Sequence, residues 1–369
     1  MKLLEKRRLE SLDALRGFDM LFIMGLPSVL IALSVAFGFG RESFICRQMR
    51  HVAWHGLAMM DTVFPLFLFI AGVTFPFSLS KQQDAGISRR RIALRCLKRG
   101  ITLTILGLVY EDVLTLDFAH FRVWSVLGRI GCAWMVASWI YMSFRRRLRF
   151  VIAVAVLVGC WLFTRLVLAP DAPMGADPFS AAGNFGCWLD RTLTAGHIYE
   201  NLFDPEGFAG FLPSVVTTLL GMFAGEFLNR ESVSGAHKTV GLFLVGIGCA
   251  FGAWLMSFSC PVNKSLWTSS FVLAVGSYSF IALGVFYWVV DVLGFKRWAF
   301  PLKVVGMNSI TIYLAQRIIG FNEANRFLFG GLAGLFPPTW RAVVSACTYM
   351  IICWAFLYFL YRRNIFIKV

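Results

Sequence analysis

His51-Val-Ala-Trp-His-Gly-Leu-Ala-Met-Met-Asp61-Thr-Val-Phe-Pro65-Leu-Phe-Leu-Phe-Ile-Ala-Gly72-Val-Thr-Phe-Pro76 is the stretch on which the reading of this chain turns. Up to Asp61 it carries two histidines and a carboxylate; beyond Asp61 it is uncharged and apolar. Continued to residue 80, that apolar run is long enough to cross the ~30 Å hydrocarbon layer as a helix. Ionisable groups at the edge of such a span are uncommon and usually functional.

Working outward, the whole chain repeats the pattern. It is 58% hydrophobic and 15% charged, with 37 Phe and 12 Trp in 369 residues, and its mean hydropathy is +0.70. A soluble domain is far more polar, so the composition specifies a polytopic membrane protein. About ten apolar runs are expected to form spans, near residues 15–39, 62–80, 100–116, 124–143, 150–169, 207–228, 239–257, 268–293, 301–319 and 342–361. The expected fold is therefore all-α, a bundle of about ten transmembrane helices forming a single membrane domain over residues 1–369.

Cations orient the bundle, because Lys and Arg in short loops are retained on the cytoplasmic side. With the amino terminus inside, 22 of the 35 cations fall in inner segments and 8 in outer loops. Both termini are predicted to be cytoplasmic. The net charge of +15 then reflects orientation and contact with anionic membrane lipids, and no nucleic-acid partner is expected. The first apolar run is full length with no small-residue cleavage site after it, so it reads as a retained span. The nine cysteines show no metal-type pairing; Cys46, Cys187 and Cys260 fall on the expected outer side, where a disulfide is chemically allowed. No internal repeat is visible, which argues mildly against a transporter built from two similar halves.

Several residues carry chemistry. His51 stands at the outer edge of the second span, where an imidazole can accept a proton from an attacking amine or hydroxyl or carry an acyl group; hydrogen bonding to backbone or headgroups is the plainer alternative. His51 and His55 are four apart, but no third ligand follows in register, so no metal is expected. Asp61 enters the membrane four residues before Pro65 and needs a cationic or histidine partner there, unless it caps the helix. Asp13 and Arg16, three apart, suit an intrahelical pair. Arg129 falls inside a span and should face an anion, either Glu111 or Asp112 or else a phosphate group, which a guanidinium fork binds in pairs. Asp204 and Glu206 enter the membrane together after the longest outer loop, where they suit helix capping or the hydroxyl and amine groups of a polar acceptor. Asn308 and Ser309, followed by Tyr313, Gln316 and Arg317, line one span with polar groups, as a cavity wall or an interhelical hydrogen-bond set would.

Taken in order, Ser11-Leu-Asp-Ala-Leu-Arg-Gly17, His51-Val-Ala-Trp54, Asp61 to Gly72, Val126 to Gly131, Asp204-Pro-Glu-Gly207 with Leu212-Pro213, and Gly306-Met-Asn-Ser309 resemble the transmembrane heparan-α-glucosaminide N-acetyltransferases and their bacterial NagX-like relatives, within the wider transmembrane acyltransferases. The resemblance implies an enzyme of the bacterial inner membrane that takes acetyl from cytoplasmic acetyl-CoA and delivers it to an amino sugar or glycan on the far side. It implies His51 as the catalytic histidine, with Asp61 beside it. It places Arg129, together with Asp13, Arg16, Asn308 and Ser309, at the acetyl-CoA end, and Trp54, Asp204 and Glu206 at the acceptor. Two departures stand out: Gly128 replaces the family's usual glutamine, and Gly25-Leu-Pro27 stands where many bacterial relatives have paired glycines. Direct transfer with His51 as general base is the expected mechanism, an acetyl-histidine route the alternative. A sugar or proton-coupled transporter and a lipid-binding scaffold are the competing functions, and the Trp- and Phe-rich spans leave apolar surface for a homodimer contact.

Overall fold

The structure is a computed structural model that describes residues 9–111, 121–199 and 201–367. Asp112 lies outside the described residues. The helices run in the order α1 (Glu10–Met24), α2 (Leu26–Ala36), α3 (Phe44–Gln48), α4 (Met59–Asp84), α5 (Arg89–Tyr110), α6 (Val126–Ser143), α7 (Arg146–Leu166), α8 (Phe185–Leu193), α9 (Phe211–Leu228) and α10 (Gly235–Ser257). They continue with α11 (Ser269–Phe286), which passes into a π-helical turn (Tyr287–Val292), then α12 (Phe300–Met307), α13 (Ser309–Ile318), α14 (Phe321–Gly334) and α15 (Pro338–Arg362). The fold is all-α, with a lone antiparallel bridge between Leu168 and Asn184 as the extended pairing among the described residues.

Among the described residues, six helices are long and apolar enough to cross a membrane: α4, α7, α9, α10, α11 with its π turn, and α15. The pair α1 and α2 qualifies as a seventh if counted as one span, although it bends by 60°. The bend is written in Gly25-Leu-Pro27. Gly25 adopts a left-handed conformation, φ 118°, that ends α1, and Pro27 opens α2 where its missing N–H costs nothing. The other expected runs fall on α5, α6 and the pair α12 and α13. The expected 301–319 helix is interrupted at Asn308, and α5 begins at Arg89, inside what the charge pattern reads as a loop. Arginine is a good helix former, so a cationic stretch can continue a helix beyond the apolar region. Helix α14 has no counterpart among the expected runs.

Burial sorts the spans. In α4, 78% of the apolar window is inside the protein, against 17% in α7 and 22% in both α10 and α15. The central helix α4 packs along α9, while α1 packs on α12, α5 on α6 and α10 on α11. Lipid offers no hydrophobic drive for helices to associate, so close packing through small residues must hold them. A Cβ on Gly72 would collide with the Thr218 carbonyl, and one on Gly221 or Gly225 with the Phe69 or Val73 carbonyl, which brings the α4 and α9 backbones together. The α1 and α12 crossing is tighter still: a Cβ on Gly17 would overlap the Leu302 carbonyl, and one on Gly306 the Asp13 carbonyl.

Gly17→Ala should therefore force α1 and α12 apart and lower the detergent melting temperature by an amount corresponding to at least ~1–3 kcal/mol of overpacking. Gly159→Ala, on α7, where a Cβ meets nothing within 4 Å, should melt at or slightly above wild type. Equal melting of both variants would contradict the crossing.

Candidate active site

The loop between α3 and α4 delivers His51 onto the first turn of α4. His51 Nδ1 lies 2.7 Å from Asp61 Oδ1. The second oxygen of Asp61 accepts from the backbone N–H of Ala58 at 3.0 Å and of Val52 at 3.4 Å. Asp61 thus performs both tasks open to it: it closes the amino end of α4 and holds the histidine. Its side chain is 1% exposed, whereas that of His51 is 55% exposed, so the imidazole projects from a buried carboxylate into open space. A carboxylate on Nδ1 favours the tautomer that leaves Nε2 as the free base.

A third group completes this cluster. Lys264, from the loop between α10 and α11, places Nζ 3.0 Å from His51 Nδ1 and 3.5 Å from Asp61 Oδ1. Burial pushes the Lys264 ammonium below the usual lysine range, with Asp61 acting against that shift. The two loops are joined by the Gly56 N–H donating to the Val262 carbonyl at 2.8 Å. His55 turns away toward Asn263, 3.4 Å from its Nδ2, so the two histidines do not converge. Among the described residues no group of three or more His, Cys, Asp or Glu is placed to hold a metal ion.

The acidic pair before α9 is organised by Arg122. Its Nε donates to Asp204 Oδ2 at 2.8 Å and its Nη2 to Asp204 Oδ1 and Glu206 Oε2, while Nη1 lies 3.5 Å from Glu111. Burial disfavours the charged guanidinium, but Asp204 and Glu206 outweigh it and hold Arg122 above the usual arginine range. Asp204 also accepts from the Tyr199 and Glu206 N–H groups at 2.9 Å each, so its acceptor capacity is spent on shaping the loop. Glu206 instead lines the cavity that contains His51 and Lys264. Trp54 donates to the Phe179 carbonyl at 2.9 Å and packs against Phe203, 4.9 Å between centroids, fastening the His51 loop to the outer loop. Cys187 and Cys260 lie in that same packed cluster as free thiols.

Arg129 is not at the end of the bundle expected for it. The structure separates it from Asp13 and Arg16 and sets it beside the outer loop, where its Nη2 donates to the Gly207 carbonyl and its guanidinium lies 5.4 Å from the Trp267 ring. Glu111 pairs with Arg122 instead; the descent from α8 into α9 presents one carbonyl to the Arg129 fork, while its Nε and Nη1 are buried without a hydrogen-bond acceptor among the described residues. Nearby Asp190, buried on α8, accepts from the Phe208 N–H at 2.7 Å. Burial pushes its carboxyl up to about 7, the Phe208 amide opposing the shift.

Two cavities inside the bundle share part of their walls. The first, about 230 Å³, contains His51, Lys264 and Glu206 and is walled by Met20, Ile23 and Tyr313 among others. The second, about 340 Å³, is lined by Arg16, Arg99, Gly306 and Met307 and, after α15, by Phe366 and Ile367. Phe67, Ser309 and Ile310 belong to both. The order along α4 is consistent: Met60, Val63 and Phe64 face the histidine cavity, Phe67 the junction, and Ala71 the arginine cavity. At ~1.5 Å per residue, the stretch from Met60 to Ala71 covers ~16 Å. Asp13 pairs with Arg16 at 3.8 Å, as their spacing predicts. Asn308 sits at the break between α12 and α13, buried away from either cavity, whereas Ser309 faces both.

Lys264, Arg99, Arg122 and Phe67 are the functional candidates that sequence reading missed. Lys264 is the single cation of the loop between α10 and α11, a signal that counting charges for orientation discards. Arg99 was hidden by its membership of a cationic run, although it is half-buried, its Nε is buried, and its guanidinium lies 4.3 Å from the Trp134 ring.

Fold and site together define an integral membrane protein of helical type in which a histidine and carboxylate pair opens into an internal cavity that meets a second, arginine-lined one. The sequence model of the family described as heparan-alpha-glucosaminide N-acetyltransferase, catalytic, matches residues 8–254, and the chain belongs to that family. It is similar to heparan-alpha-glucosaminide N-acetyltransferase of Homo sapiens, 26% identical over 430 aligned residues, and to that of Mus musculus, 24% identical over 431. Each alignment covers 98% of this chain and 60% of the relative, so the chain spans about 60% of the length of these curated relatives.

Asp190 supplies a pH test of the outer loop. Its folded value near 7 lies above the 3.8 of the free carboxyl, so the folded state retains a proton that the unfolded state loses, and stability falls as pH rises from about 4 to about 7. Asp190→Asn mimics the neutral acid and keeps an acceptor for Phe208. Its melting temperature should exceed that of wild type above pH 7, with the gap closing toward pH 4; a constant gap would contradict the assignment.

Proposed function

We propose that this protein is an acetyltransferase that moves acetyl from acetyl-CoA in the arginine-lined cavity to an amino sugar or glycan bound beside His51. The observation that carries this reading is the pair of cavities sharing Phe67, Ser309 and Ile310, with two arginines at one end and His51 on Asp61 at the other. Among the described residues the arginine cavity has no carboxylate in its lining, and Arg99 Nε is buried without a hydrogen-bond acceptor. Such a pocket suits the phosphates of a nucleotide substrate. The apolar neck suits a slim acyl-bearing arm.

A thioester is already activated, so the protein has mainly to hold donor and acceptor together and take a proton as attack proceeds. His51 Nε2 receives that proton from the acceptor amine, while Asp61 keeps Nδ1 protonated and stabilises the imidazolium that forms. Glu206, facing the same cavity, suits the amine of the acceptor. Its partner Asp204 and the tryptophan Trp54 act at one remove, by holding the outer loop over the site. Arg129 acts in the same way, and we move it from the donor end to the frame of the acceptor side. Asp13 orients Arg16. Asn308, at the helix break, presents Ser309.

The cationic stretches of α5 and of the α6 to α7 turn lie on the side of Arg99, so the donor cavity faces the cytoplasm and the acceptor the opposite side. In a bacterium this corresponds to the inner membrane. The single domain over residues 1–369 contains both ends of the path.

Detergent-purified protein should release CoA from acetyl-CoA in the presence of an amino sugar and yield the acetylated product by mass. His51→Ala should reduce turnover about 10³-fold and Asp61→Asn about 10²-fold, both with unchanged acetyl-CoA binding. Arg99→Gln should instead raise the Kd for acetyl-CoA about tenfold. Counterflow of the sugar in liposomes without acetyl-CoA, together with no acetylated product, would overturn the proposal in favour of transport.

A further inference from the structure

The neck between the two cavities contains one polar side chain. Phe67 and Ile310 are apolar; Ser309 is 7% exposed, lines both cavities, and its hydroxyl has no hydrogen-bond partner among the described residues. Ser309 is also the first residue of α13, which starts afresh after the break at Asn308. The first bond that closes within α13 runs from the Ile312 N–H to the Asn308 carbonyl at 3.0 Å. The N–H groups of Ser309, Ile310 and Thr311 precede it, and the opening amides of a helix have no intrahelical acceptor. An unbroken helix over 301–319 would have paired these groups with α12 carbonyls and left the neck without donors. Broken helices whose amino ends point at a buried site favour developing negative charge there.

We infer that the Ser309 hydroxyl, with the free amides that open α13, forms the oxyanion-binding site of the reaction, receiving the acetyl carbonyl oxygen at the point where the cavities meet. This rests on the transferase reading above. The acceptor nitrogen forms a bond to the acetyl carbon, and the carbonyl π pair moves onto the oxygen held by Ser309. The proton of the amine passes to His51. Collapse restores the C=O bond, breaks the C–S bond and expels the thiolate of CoA, which takes up the proton that His51 gives back to solvent, so that the imidazole is again the free base. Donors fixed before the reaction stabilise the oxyanion more than the neutral carbonyl, and so act on kcat more than on binding. The helix break therefore has a chemical purpose: it turns backbone groups that an intact span would consume into donors beside a neck walled by Phe67 and Ile310.

The test uses the full-length protein in detergent with acetyl-CoA labelled by ¹³C at the carbonyl, with no acceptor present. The infrared C=O band of the bound thioester should shift to lower wavenumber relative to free acetyl-CoA. Ser309→Ala should diminish that shift and Ser309→Thr should retain it, while CoA itself, which lacks the acetyl group, binds all three proteins with the same affinity by calorimetry. In turnover, Ser309→Ala should lower kcat about 10²-fold with KM for acetyl-CoA changed less than about threefold. A wild-type band at the free position, or an equal shift in wild type and Ser309→Ala, would overturn the oxyanion assignment and leave the transferase reading standing. Failure of wild type to bind either acetyl-CoA or CoA would overturn both.

Discussion

The closest constraint in this molecule is the contact between α1 and α12, where Gly17 and Gly306 let one backbone rest on the carbonyls of the other. Arg16 stands next to the first glycine and lines the arginine cavity, while Met307 and Ser309 follow the second and line it from the other side. The crossing thus sets the width of the arginine-lined cavity and the height at which α12 stops. A side chain at either glycine would open the neck formed by Phe67, Ser309 and Ile310. In a bilayer, where apolar surface alone does not hold helices together, such backbone contact is the main means of fixing a cavity wall.

The polar groups obey a second rule, that charge inside a low-dielectric region must be paired or put to use. On the His51 side pairing is dense. Asp61 meets His51 and Lys264, Arg122 gathers Glu111, Asp204 and Glu206, and Arg129 is held by a backbone carbonyl and an indole. On the other side two guanidiniums, one of them paired with Asp13, line a cavity with no carboxylate among the described lining residues. This asymmetry makes one end a preorganised set of fixed charges and leaves the other lined by cations, as the proposed donor site requires. The same economy explains Trp54 and Asp204: both lie close to the site, and both spend their hydrogen bonds on the loop that roofs it.

Much of this was legible in the chain. The apolar runs, the His51 to Pro76 motif and the polar Gly306 to Ser309 segment each report a local property: the apolar runs fall on helices, and His51 and Ser309 line cavities. The number of spans was read less well, since a hydropathy window passes across Asn308 without registering that the helix stops there. Arg129 was misplaced for a related reason: an arginine inside a span announces that it needs an anion or carbonyl, but not which loop will supply it. Its partner, Gly207, is far away in sequence and carries no side chain by which it could be recognised.

What the sequence determined by itself was therefore whatever follows from one segment in contact with one solvent: an all-helical membrane chain, its apolar runs, and a histidine and an aspartate ten residues apart at the edge of one of them. Only the tertiary structure decided that Lys264 joins that pair, that Arg99 faces Arg16, and that two cavities meet at Ser309. Each of these joins residues from separate helices, and the distances between helices depend on where glycines permit backbones to touch and where a helix breaks. Such distances are set by packing among all the elements at once, and no single stretch of sequence encodes them.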